Sequence, residues 1–208
     1  MDIWSMICIN RLNDFEVAVN GPRMSATDAT DPISVTKAEI NGQKQAFQFM
    51  DILHEYVGGF EKAYISRIND SIAVRETRRV VGLKTLTADD VLSGRVGDDT
   101  IALGSYPVDI HGSKDFTSTY QPFEEPYGIP YLCTVSASIR NLMMCGRCIS
   151  VDSQAFGSTR VMGTCFAVGE GVGIGAALAV QKNITPAEVD VAEIRKRLLE
   201  HGAILSMS

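Results

Sequence analysis

Six glycines, at positions 157, 163, 169, 171, 173 and 175, interrupt a stretch that otherwise reads as one long apolar helix, AFGSTRVMGTCFAVGEGVGIGAALAV from Ala155 to Val180. A glycine inside a helix costs roughly 1 kcal/mol relative to alanine. So many of them need compensation, normally the close approach of another element or of a ligand. Ala167, Gly171 and Gly175 recur every four residues, which puts them on one face of a helix and suits tight packing against a neighbour. The segment GVGIGA, 171–176, formally matches a dinucleotide-binding fingerprint. That fingerprint belongs between a strand and the start of a helix, whereas these glycines fall inside the helical stretch. Val161 to Val180 has Glu170 as its only charge, yet its glycine content and central carboxylate argue for the buried helix of a soluble protein rather than a membrane span.

The 208 residues carry a formal net charge of −6, with no clustered Lys and Arg of the kind that a phosphate backbone requires. Nucleic acid is excluded as a partner, and nothing suggests a membrane. Five cysteines, at 8, 133, 145, 148 and 165, are odd in number and scattered. Without a signal peptide, they fit a reducing, cytoplasmic setting rather than a disulfide framework.

The chain opens on a strand-like run, MDIWSMICIN, as though in the middle of a domain. A polar loop over 20–33 is followed by a predicted helix from about 34 to 57. AYISRI and SIAVRETRRVVG read as strands, TADDVLSG as a short helix with a Thr87-x-x-Asp90 capping pattern and a terminal Gly94, and YPVDIH as a strand. Residues 112–128 read as a surface loop or hairpin. IPYLCTV and NLMMCGR are apolar runs of strand length, leading through a polar loop to the glycine-bearing helix and then to a final helix bounded by Asp190-x-x-Glu193 and Gly202. The fold class is α/β, with α and β elements mixed.

Several clusters carry candidate chemistry. CGRC, Cys145 to Cys148, has the spacing of a redox pair or of half a zinc site, but it stands alone, and structural cysteines are the plainer reading. No metal site is expected. GSTR, 157–160, reads as a polar loop leading into a helix, whose free N–H groups would suit a phosphate or a flavin pyrimidine edge; that Ser158 and Thr159 do no more than cap that helix is the plainer reading. In VRETRRVVG, strand alternation would put Arg75 and Arg79 on one face and Glu76 and Arg78 on the other. One face would enter a cleft and clamp a carboxylate, or the arginines would form a solvated salt-bridge cluster. His54 and His111 are isolated histidines, for which structural roles are the simpler reading.

In this order, VRETRRVVG, TLTADDVLSGR, YPVDIHG, GIPYLCTV, NLMMCGRCIS, FGSTRVMGTC and DVAEIRKRLLEHGAIL resemble the C-terminal half of the FAD-dependent oxidoreductase family, within the glutathione-reductase-like flavoprotein superfamily. The resemblance covers nearly the whole chain from about residue 5. It implies a substrate domain of sheet and helices over 1–128 and the returning C-terminal part of a Rossmann-like FAD-binding domain over 129–208. The N-terminal half, with the glycine-rich turn that holds the ADP moiety, is missing from this pattern.

Carried over by resemblance, the FAD-binding positions are Gly146, Arg147, Gly157, Ser158, Thr159, Arg160, Gly163 and Thr164; in the oxidoreductase reading, Arg75, Arg78 or His111 would position substrate or transfer a proton. Relatives often have proline where Gly163 stands. The family is also grouped with the A subunit of heterodisulfide reductases, which carries iron–sulfur clusters, but five scattered cysteines do not supply the tight spacing that such a cluster needs. The implied function is transfer of hydride or electrons between a small-molecule substrate and an acceptor through FAD. The alternative is a truncated or split-gene subunit, inactive alone, that works only with a partner chain carrying the ADP-binding half.

Overall fold

A computed structural model describes residues 8–21, 24, 27–111 and 118–206. The chain is mixed α/β and divides into two compact units, one of residues 1–77 with 112–117 and one of residues 78–111 with 118–208.

In the first unit, β1 (Cys8–Arg11) and β2 (Val17–Asn20) form an antiparallel hairpin, with Arg11 opposite Val17. The long helix α1 (Pro32–Tyr56) agrees with the helical spacing of Phe49, Met50 and Leu53. Its start is fixed by Asp31, whose carboxylate accepts from the N–H groups of Ile33 and Ser34, and by proline in the first turn, where no donor is needed. Phe49 and Leu53 are buried, with Val19 and Phe60 packed against them. His54 donates from Nε2 to the Ala63 carbonyl at 2.8 Å, a structural role.

AYISRI and SIAVRETRRVVG do not form strands. No ladder forms along them among the described residues; the Val74 N–H goes to the Ile72 carbonyl. In the second unit the Val80 N–H goes to Cys148, the Leu83 N–H goes to Val135, and only Gly82 makes a bridge, to Ser136. The short helix α2 (Ala88–Leu92) follows as expected. Thr87 and Asp90 form the full capping box, and Gly94, at φ +61, ends the helix in the left-handed region that glycine tolerates.

Two antiparallel strand pairs follow: β3 (Thr100–Gly104) with β6 (Tyr127–Pro130), and β4 (Val108–His111) with β5 (Ser118–Gln121). Within the stretch read as a surface loop or hairpin, 112–128, Ser118–Gln121 pairs with Val108–His111; residues 112–117 lie outside the described residues. The strand-length run after Pro130 instead turns tightly, as a 3-10 helix over Tyr131–Thr134. The Thr134 hydroxyl closes this turn on the Tyr131 carbonyl at 2.6 Å, while the Tyr131 hydroxyl reaches the Pro186 carbonyl at 2.9 Å. The NLMMCGR run keeps only one bridge, Met143 to Val135, and ends in a second 3-10 turn, Gly146–Cys148.

The glycine-bearing stretch is two helices, α3 (Ser153–Thr159) and α4 (Met162–Lys182), and the chain ends with α5 (Val191–Glu200). Helix α4 packs against β3 and α5. A β-carbon at Gly171 would lie 2.9 Å from Ile101, and one at Gly175 would lie 2.7 Å from the Tyr131 ring. The close-packing reading of these glycines is therefore correct, and GVGIGA is helix throughout. The expectation of a buried helix holds for one face only: Met162, Phe166 and Val180 are 72%, 74% and 81% exposed.

Candidate functional site

The elbow between α3 and α4 organises this region. Asp152 caps α3 through the N–H groups of Gln154 and Ala155, and its other oxygen accepts from Ala88 N–H at 2.7 Å, which ties α2 to α3. Helix α3 ends at Arg160, Val161 turns extended, and α4 begins. Side-chain oxygens of Asp31, Thr87, Asp152 and Asp190 cap the other described α-helices, but valine offers none, so α4 has no side-chain cap. The first bond closing α4 is Cys165 N–H to Val161 O. Among the described residues the N–H groups of Met162, Gly163 and Thr164 have no acceptor, and open space lies beyond Gly163, with nothing within 4 Å of a β-carbon there. A helix of this length with a bare first turn presents partial positive charge to electron-rich oxygens.

The turn Gly146–Cys148 packs against α4. Gly146 sits at φ +72 with open space around it, so glycine is needed there for conformation rather than for room. Arg147 is exposed, and its charge is felt at Cys165 in the opening turns of α4. Burial raises the Cys165 thiol above its ordinary value, Arg147 lowers it, and Cys145 and Cys148 raise it further. Gly146, Arg147, Gly163 and Thr164 thus belong to one neighbourhood.

The remaining four predicted positions behave differently, because GSTR is not a loop. Gly157, Ser158 and Thr159 form the buried last turn of α3. A β-carbon at Gly157 would stand 3.0 Å from the Asp109 carbonyl, so this glycine lets α3 approach β4. The Ser158 hydroxyl donates to the Tyr106 carbonyl and so accepts from the Tyr127 hydroxyl, 2.6 Å away. Neither Ser158 nor Thr159 caps α4. Arg160 donates to both the carbonyl and the carboxylate of Asp109 at 3.1 Å, with both side chains nearly nine-tenths buried. Burial raises Tyr127 to about 12, against the lowering effect of its Ser158 bond. Asp109 was missed in the sequence, although a lone acid in the apolar run YPVDIH signals an inward-facing partner.

Arg75 lies in the first unit and Arg78 begins the second; both are exposed. Since their segment is not a strand, the expected alternation of faces does not apply to them. Arg79 stacks over the Phe156 ring at 5.2 Å. His111 ends β4, its backbone paired with Ser118.

The sequence matches, over residues 4–198, the model of a family described as FAD dependent oxidoreductase. No match was found among curated proteins or among solved structures.

Proposed function

The chain belongs to the FAD dependent oxidoreductase family, and we propose that the bare first turn of α4, together with the Gly146–Cys148 turn, receives the flavin end of FAD. The observation that carries this reading is the set of three uncommitted N–H groups at Met162–Thr164 beneath open space at Gly163. When bound, the flavin supplies the hydride and electron chemistry. The chain supplies orientation: N–H groups aimed at a carbonyl oxygen of the ring, and the positive charge of Arg147 beside them. Gly157, Ser158, Thr159 and Arg160 contribute by holding the elbow rather than by touching the cofactor. Arg75, Arg78 and His111 remain the proposed groups for substrate binding and proton transfer.

The functional division into a substrate domain over 1–128 and a returning FAD domain over 129–208 is part of the same reading, as are a cytoplasmic setting and a small-molecule substrate. Among the described residues no Gly-x-Gly-x-x-Gly turn joins a strand to a helix, and the same reading takes the ADP contacts from a glycine-rich half carried by a partner chain. The exposed apolar face of α4 supports such an association. Purified alone, the chain is expected to be colourless. Combined with the polypeptide bearing the glycine-rich half, it is expected to carry flavin absorbance through gel filtration; absorbance retained stoichiometrically by the chain alone refutes the shared site.

A further inference from the structure

Four cysteines fall within the described residues with characterised side chains, and they occupy unlike settings. Cys133 is fully buried, which raises its thiol to about 12 and leaves it inert. Cys145 is exposed and Cys148 half-buried, at the two ends of one 3-10 turn. In such a turn side chains three residues apart eclipse one another. Here Cys145 is the residue that precedes the turn and Cys148 is its third member, the positions at which side chain and backbone reach across one another in a capping box. The Cys148 thiol already reaches back, donating to the Cys145 carbonyl at 3.3 Å. Gly146 supplies the left-handed residue that lets the chain curl this tightly.

The surroundings favour sulfur chemistry. Arg147 stands between the two cysteines in sequence, and cationic, partly exposed settings are where thiols react. Among the described residues no group of three or more His, Cys, Asp or Glu is arranged to hold a metal ion.

We infer that Cys145 and Cys148 form a reversible dithiol–disulfide couple that exchanges two electrons with low-molecular-weight disulfides. The exposed Cys145 thiolate attacks a sulfur of the incoming disulfide, forming a mixed disulfide and releasing one thiol. The Cys148 thiolate then attacks the Cys145 sulfur, closing the Cys145–Cys148 bond and releasing the second thiol. Both protons leave on the two released thiols, and the incoming disulfide is the oxidant. Thiol reduction runs the same steps backwards. This chemistry stands whether or not a flavin occupies the start of α4.

The test uses the whole chain, reduced, freed of reductant and equilibrated without oxygen in mixtures of reduced and oxidised glutathione, then acid-quenched and weighed intact. The expected product has lost two hydrogens, and trypsin cleavage after Arg147 leaves the two flanking peptides joined. Cys148→Ser is expected to accumulate a glutathione adduct on Cys145, Cys145→Ser to lose no hydrogens, and Cys165→Ser to close as the parent does. Glutathione accumulating on Cys145 of the parent without closure, or a disulfide that includes Cys165, overturns the proposal.

Discussion

A methyl group at Gly171 would lie 2.9 Å from two carbons of Ile101, while one at Gly173 would meet nothing within 4 Å. Gly171→Ala is therefore expected to cost about 1–3 kcal/mol as the helix is forced off β3. Gly173→Ala gains about 1 kcal/mol of helix propensity, which raises the melting temperature by about 2–4 °C in a chain of this size. Thermal melts of the two variants should therefore move in opposite directions; equal shifts would contradict the packing described. The Arg160–Asp109 pair makes a second residue-scale case. Removing one member of a mostly buried pair costs about 3 kcal/mol through the charge left behind, so Asp109→Ala is expected to lower the urea midpoint well beyond the effect of changing an exposed acid such as Asp89. The four-residue glycine spacing was legible in sequence because helical period dictates which positions share a face. The Arg160–Asp109 pair was not, since it joins residues far apart in sequence.

Elements whose ends are set by local chemistry were the most legible. Thr87 three residues before Asp90, and Asp190 with Gly202, bound α2 and α5 as their sequences require, whereas α1 starts at Pro32, ahead of the expected 34, because Asp31 caps it and proline suits its first turn. Strand assignments failed where apolar runs lacked a neighbour. Residues 71–82 and 131–135 have strand composition, but in the described structure their hydrogen bonds go to turns and loops, a tertiary outcome that composition does not encode.

The capping box of α2 also has a pH signature. Burial pushes the Asp90 carboxyl up, but the Thr87 hydroxyl and N–H, with Arg95 and Lys84, outweigh it and hold the carboxyl below its ordinary value of 3.8. A depressed acid contributes stability that is present above the unfolded value and is lost as pH falls through the folded one. The stability gap between the parent and Asp90→Asn should therefore narrow on going from neutral pH to below 3.8, and a gap independent of pH would exclude this role.

For the whole molecule, titration reports on the core of the second unit. Burial raises both Tyr127 and Tyr131 to about 12. Raised phenols contribute stability below their unfolded value of 10, and that contribution fades as pH climbs towards 12. Of the six tyrosines, Tyr127 and Tyr131 are expected to ionise last in an absorbance titration, together with loss of the folded circular dichroism signal, while Tyr56 is raised chiefly by its neighbour Glu55. Six tyrosines titrating as one ordinary class in a folded chain would contradict the packing around Tyr127 and Tyr131. The central claim concerns the open turn at the start of α4, and its most direct measure is flavin content in the reconstituted complex. Gly163→Phe adds bulk beside the bare N–H groups, at a position where a β-carbon meets nothing within 4 Å, whereas Gly173→Phe adds the same bulk from an equally open position farther along the same helix. The account requires Gly163→Phe to lose the flavin while melting like the parent and Gly173→Phe to keep it. Parent-like flavin content in Gly163→Phe would show that the cofactor does not sit there.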